Sequence, residues 1–221
     1  MPENASAENT RAQRKVPVGV GSVFPDFSAR GIAEECLARL MEVARQPGAG
    51  WNPQPCRWIV VRSEAAKRRV EAASYIQMPL SSAPAVLICV ADTLAWKSAP
   101  QRLQEMVASG TMTEEQGRET LRRVQEYYSA SPENAQRTAL ANGWLAVQQV
   151  LLGAASCDLS AYWVTEFDPA KIKTHFHIPD HFAVVALLTV GHINEPNIPP
   201  STEPAPRAPV YLEKFGKPFS L

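Results

Sequence analysis

The chain carries no formal net charge: 22 Lys and Arg stand against 22 Asp and Glu in 221 residues. No global field therefore draws in nucleic acid or an anionic membrane. No apolar run approaches the ~20 residues that span a bilayer, and the polar N-terminus lacks an apolar signal core. Cysteine is sparse. Cys36, Cys56, Cys89 and Cys157 are widely spaced, with no Cys-x-x-Cys pair. Three of them fall in apolar runs or predicted helices, where a thiol acts as a small hydrophobe, so a reduced, cytoplasmic setting is expected. Gly-x-Ser-x-Gly, Walker and Gly-x-Gly-x-x-Gly motifs are also missing, and hydrolase, P-loop and Rossmann readings lose their support.

What is present suits a globular fold. Apolar residues make up 45% and charged residues 20%, ordinary values for such a chain, and the length suffices to bury a good core. Residues 1–17 read as a flexible polar tail. Gly19 and Gly21 mark a loop whose backbone approaches something closely. Ser28 is expected to cap a helix over Ala29 to Gln46, with apolar positions at helical spacing. A strand over Trp58 to Arg62 and a helix over Glu64 to Ala73, capped by Ser63, follow. Pro84 to Ala91 is continuously apolar, hence a strand buried on both faces. In residues 96–131, Thr113 and Gln116 form a capping box that starts a helix at Glu114, ending near Ser129. This insert is either an amphipathic surface element or a lid over a pocket. The longest helix is predicted over Pro132 to Cys157. It is apolar on nearly every side from Ala139 onward, so burial all round is expected, partly against a second subunit. A strand over Ser160 to Thr165, a helix over Asp168 to Phe176 and a strand over Phe182 to Val190 complete the body. Six prolines between Asn194 and Pro209 impose an extended arm, and Val210-Tyr211-Leu212 is apolar enough to dock as a strand.

The most informative stretch is Trp51-Asn52-Pro53-Gln54-Pro55. Each proline biases the residue before it toward an extended backbone. The amides of Asn52 and Gln54 would then form a stiff rail of donors and acceptors, matched to a planar ligand such as the pyrimidine rim of a flavin. A polar turn between helix and strand also fits these residues. His175, His177 and His181 have the wrong spacing for ligands on one helical face, and Pro179 interrupts them. They read as a loop, and no metal is expected.

In this order, four features make the chain resemble the flavin-dependent nitroreductase family over about Val18 to Phe215. They are the Pro-loop-Asn-x-Gln-Pro segment, the long helix leading to Val164-Thr165-Glu166-Phe167-Asp168, the strand ending at Gly191, and a C-terminal arm bearing Arg207. The resemblance implies an α+β homodimer: a nitroreductase-like mixed sheet flanked by helices, a single domain over 18–221 and an exchanged arm over 194–221. It implies FMN in a cleft between subunits, with Gly48, Trp51, Asn52 and Gln54 around the ring. Thr165 and Glu166 would lie near the reactive N5, and Ser22 and Arg207 at the phosphate. Donors at the ring edge would hold the electron-rich reduced flavin. NAD(P)H would supply hydride, and a nitro, quinone-like or related acceptor would receive electrons.

The chain also departs from the family pattern. An Arg-x-Ser-x-Arg loop usually grips the phosphate; here Val20 and Phe24 stand in the cation positions and only Ser22 is kept. A flavin-free dimeric binding protein is therefore the rival reading. If the cofactor is held, Arg207 carries the phosphate contact, and exposed charge contacts are screened with a Debye length of ~8 Å at physiological salt. Arg207→Ala is expected to nearly abolish FMN binding in a fluorescence titration, and added salt to weaken it in the wild type. Tight, salt-independent binding in the variant would place the phosphate on another group.

Overall fold

The computed structural model describes residues 25–45, 51, 53–76, 79–194 and 210–218. The apolar run forms strand β2 (Ala85–Asp92), in which seven of eight residues are buried. Successive strand side chains point to opposite faces, so β2 needs cover on both. It lies inside a sheet ordered β1-β2-β4-β3, with β1 at Cys56–Val61, β3 at Ser160–Val164 and β4 at Phe182–Gly191. One face packs Leu87 and Cys89 against helices α1 (Glu34–Ala44) and α5 (Pro132–Ser156). The other packs Val86 and Ile88 against α2 (Glu64–Ala73) and α6 (Pro169–Phe176). Helices α3 (Ala99–Ala108) and α4 (Glu114–Ala130) form a separate hairpin with its own small core. The α+β class is as expected. The sheet, expected as mixed, is antiparallel at all three pairings of the described strands.

Several elements differ from their sequence-based bounds for identifiable reasons. Helix α1 starts at Glu34, not Ala29. Ser28 donates its backbone N–H to His192 (2.8 Å), and Phe27 bridges Ile193, so this stretch is held extended beside the end of β4. Strand β1 begins two residues before Trp58, because Cys56 pairs with Ala91. The capping box of α4 forms as expected: Thr113 Oγ1 accepts from Gln116 N, and Gln116 Oε1 accepts from Thr113 N. Helix α3 falls within the insert over 96–131, expected to be helical, in which bounds were predicted for α4 alone.

Within one chain, helix α5 is buried along one face only. Its inner stripe is Ala135, Ala139, Asn142, Gly143, Ala146, Val147, Val150 and Ala154. A Cβ on Gly143 would sit 2.6 Å from Val185 Cγ2, so the helix lies too close to the sheet for larger residues there. Its large side chains go outward: Leu145 is 53% and Leu152 46% exposed. Trp144 lies edge-on to Trp163 of β3 at 5.6 Å, and both are partly exposed. The expected docking strand at Val210 to Leu212 also differs. Tyr211 bridges Pro218, and left-handed backbone at Glu213 (φ 62°) and Gly216 (φ 86°) turns the segment back on itself. It therefore adds no strand to the described sheet, and Phe215 is 93% exposed. Among the described residues no helix is long and apolar enough to cross a membrane.

Lys67 ties α2 to the turn that leads into β2. Its ammonium is buried and donates to the carbonyls of Ser81 and Ala83 (2.8 Å each), while Glu64 pairs with it at 2.7 Å. Its three donors are thus all used. Lys67→Met strands those carbonyls away from water, and chemical denaturation is expected to show a loss of about 2–3 kcal/mol.

Candidate functional site

The segment leading into β1 is pinned rather than merely stiff. Pro53 and Pro55 are buried while Gln54 between them is exposed. Pro55 O accepts from Asp92 N at 2.9 Å, which fastens the segment to the end of β2. Gln54 is not extended as the pre-proline rule predicts: its φ is +43°. Left-handed backbone costs a non-glycine residue about 1–2 kcal/mol. Burial of both flanking prolines offsets that cost, as does a bond from Arg57 Nη1 to Gln54 O at 2.7 Å. The side chain consequently projects outward, where Gln54 Oε1 accepts from Arg102 Nη2 at 3.3 Å.

Beside this segment the α3–α4 hairpin closes over a cleft. Trp96 stacks on Tyr128 at 5.7 Å, and Trp51 meets Tyr128 edge-on at 6.5 Å. Trp51 is thus half-buried among the residues that hold the hairpin together. At the base, Asn142 Nδ2 donates to Thr138 O (2.9 Å) and Asp92 Oδ1 accepts from Leu94 N (2.8 Å). Burial raises the Tyr128 phenol above its ordinary pKa, so at neutral pH it is a hydroxyl and not an anion. The cleft has a volume of only about 10 Å³, far below the ~300–1,000 Å³ typical of sites for drug-sized ligands. It does not hold a flavin by itself.

The Thr165–Glu166 segment lies elsewhere. Glu166 is exposed, and its carboxylate accepts from Thr165 N and Oγ1 at 3.3 and 3.2 Å. Its carbonyl accepts from Tyr75 N (2.8 Å) and Ser74 Oγ (3.2 Å), beyond the end of α2. Asp168 continues the tether. Its N–H donates to Ala73 O, and its carboxylate caps α6 through Ala170 N and Lys171 N. Because β1 and β3 are opposite edges of the sheet, three strand spacings, or about 14 Å, separate the two segments laterally. Antiparallel pairing places both at the end of the sheet where β2 and β3 finish. One chain therefore exposes Gln54 and Glu166 without bringing them together. Ser22, Gly48, Asn52 and Arg207 lie outside the described residues.

Arg102 and Arg57, which both touch Gln54, were missed in the sequence. The available signal for α3 was Pro100 in its first turn. The thiols hold a second surprise. All four are free, yet they meet as Cys56 with Cys89 and Cys36 with Cys157. A hydrogen bond with Cys56, together with burial, pushes the Cys89 thiol well up. Among the described residues no group of three His, Cys, Asp or Glu side chains could hold a metal ion.

Comparison with known proteins bears on this arrangement. A family model described as Nitroreductase family matches residues 26–192. An NADH dehydrogenase from Thermus thermophilus is 31% identical over 182 residues, covering 80% of this chain and 84% of that protein. A Bacillus subtilis protein named provisionally as an NAD(P)H nitroreductase is 23% identical, covering 75% and 81%. A protein from Exiguobacterium sibiricum, assigned provisionally as a nitroreductase and solved in complex with FMN, superposes with a TM-score of 0.70 at 20% identity, covering 80% and 86%.

Trp51 joins the hairpin to the segment that carries Gln54. Trp51→Ala is expected to speed amide hydrogen exchange across α3 and α4 while the exchange of β2 and β4 stays unchanged. Equal protection in variant and wild type would show that the hairpin is held without it.

Proposed function

The chain belongs to the nitroreductase family of oxidoreductases, and we propose that it is an FMN-dependent enzyme that passes electrons from NAD(P)H to a nitro, quinone or related acceptor. One observation carries this reading. The two segments that the family resemblance assigns to the flavin are both exposed, at the same end of the sheet, but on opposite edges. A pair of chains can bring Gln54 of one and Glu166 of the other to a shared cleft. The exposed apolar side chains on α5 and β3 supply a surface for that pairing, and patches of this kind mark association sites. The arm over 194–221 would contribute by exchange between the two copies.

When bound, FMN supplies hydride acceptance and donation. The protein's part is binding and orientation. Asn52 and Gln54 address the pyrimidine edge, while Gly48 and Trp51 shape the loop beside it. Thr165 and Glu166 address the ring from the other half-site, through backbone donors. Ser22 and Arg207 take the phosphate. The hairpin over 96–131 serves as a lid, with Trp51, Trp96 and Tyr128 keeping water from one side of the site. Residues 18–221 act as one domain, and four free thiols suit a reducing cytoplasm. Val20 and Phe24, where the family places cations, favour the second reading, a flavin-free dimer that binds another planar ligand.

Colour separates the two. The purified protein is expected to be yellow, to release FMN on denaturation, and to scatter light with twice the chain mass at low micromolar concentration. Gln54→Ala is expected to weaken FMN by about 1–3 kcal/mol without unfolding the chain. A colourless, folded dimer that takes up no added FMN selects the flavin-free reading, and a clean monomer removes the shared cleft.

A further inference from the structure

We propose that Arg102 is a positioning residue that fixes which half of the Gln54 amide the ligand meets, so that Gln54 presents its NH2 and not its carbonyl. The role rests on the FMN reading above.

The contact belongs to a directed chain of hydrogen bonds along α3. Gln101 Nε2 donates to Glu105 Oε1 at 3.0 Å. Glu105 Oε2 accepts from Arg102 Nη1 at 3.2 Å, and Arg102 Nη2 donates onward to Gln54 Oε1 at 3.3 Å. A guanidinium has donors only, in a rigid fork. One tine is committed to Glu105, so the other can satisfy only the carbonyl end of the Gln54 amide. The NH2 end must then face away from α3.

Both ends of this contact are held. Ala99 and Leu103, on either side of Arg102, are 1% and 3% exposed and anchor α3 in the core that includes Trp51. Gln54 sits between two buried prolines, with its carbonyl fixed by Arg57. The left-handed φ of Gln54 sets the direction in which its side chain leaves the backbone.

The consequence is chemical. A Gln with a free amide can offer a donor or an acceptor by a half-turn of its last torsion, and the two present opposite polarity to a ligand. With the carbonyl committed to Arg102, Gln54 matches ligand acceptor atoms and opposes a ligand N–H. On a flavin pyrimidine rim it would serve the carbonyl and imine acceptors, where electron density rises on reduction. The Arg102 charge behind the amide polarises it further in the same direction. Arg102 therefore favours the reduced ring without touching it.

The test separates the contact from the cofactor. In the apo-protein, the side-chain amide resonances of Gln54 are compared between wild type and Arg102→Met; a shift larger than at any other Gln is expected. FMN affinity and midpoint potential are then measured for wild type, Arg102→Met, Arg102→Lys and the Arg102→Met/Gln54→Ala pair. Arg102→Met is expected to bind FMN about tenfold more weakly, as loss of a charge-assisted bond implies, with a more negative potential. Arg102→Lys should recover part of both, because lysine also only donates. The double variant should bind like Gln54→Ala alone, since Arg102 acts through that amide. Unmoved Gln54 resonances, an unmoved potential in Arg102→Met, or additive losses in the double variant each overturn the proposal. Wild-type protein that takes up no FMN defeats the cofactor reading and the ligand role of Arg102 together, and the amide resonances still decide whether the contact exists.

Discussion

Strand β2 has no face that water can reach. Seven consecutive residues, Ala85 to Ala91, are buried, and alternation sends their side chains both ways. That one run dictates a helical layer on each side of the sheet and forces the connections out to its ends. It also places the functional features. The exit of β2 at Asp92 is bonded to Pro55, the start of β1, so the segment carrying Gln54 is fastened to the most deeply buried element of the chain. The α3–α4 hairpin departs from the same exit and folds back over that segment. Core burial and site placement are thus one constraint seen from two positions.

The local backbone at Gln54 shows how such a constraint overrides a neighbour rule. The residue before a proline is ordinarily extended, yet both prolines here are buried and Gln54 turns left-handed between them. The strain is small beside the burial that maintains it, and its effect is to aim a polar side chain outward from an apolar anchor. At the opposite edge Glu166 is positioned by a different device, hydrogen bonds to the end of α2. Each half of the candidate site is rigidly mounted within one chain, and each is incomplete there. That division agrees with a small intrachain cleft and with the exposed apolar side chains of α5 and β3.

Much of this architecture was legible in residue order, and the exceptions share a cause. Strand β2 declares itself by an unbroken apolar run, α4 by Thr113 and Gln116, and α5 by its dense apolar residues from Ala139 onward. These signals are local, and their partners lie within a turn or two. The start of α1 was not legible, because the backbone of Ser28 is engaged by His192, far along the chain. The bounds of helix α3 were not, because its short, mixed polar sequence takes its stability from Trp51 and α4. The outer side of α5 was legible only in part. Spacing shows where apolar side chains point but not what covers them. In the site, the order of motifs pointed to Gln54 and Glu166. It could not show that they lie on opposite edges, which depends on the pairing β1-β2-β4-β3. Arg102 was hidden in a charged stretch, where a surface role and a directed contact look alike.

Gly143 has a wider effect than its size suggests. It seats α5 against Val185 so closely that the next larger residue does not fit. A helix keyed in this way can neither slide along the sheet nor rotate about its axis without driving a methyl group into that contact. The angular phase of everything on its far side is therefore set from within. Trp144, Leu145 and Leu152 face outward in a fixed pattern because a hydrogen atom, and not a side chain, occupies the inner seat. The geometry with which this molecule meets another is, in that sense, written on the side that never touches it.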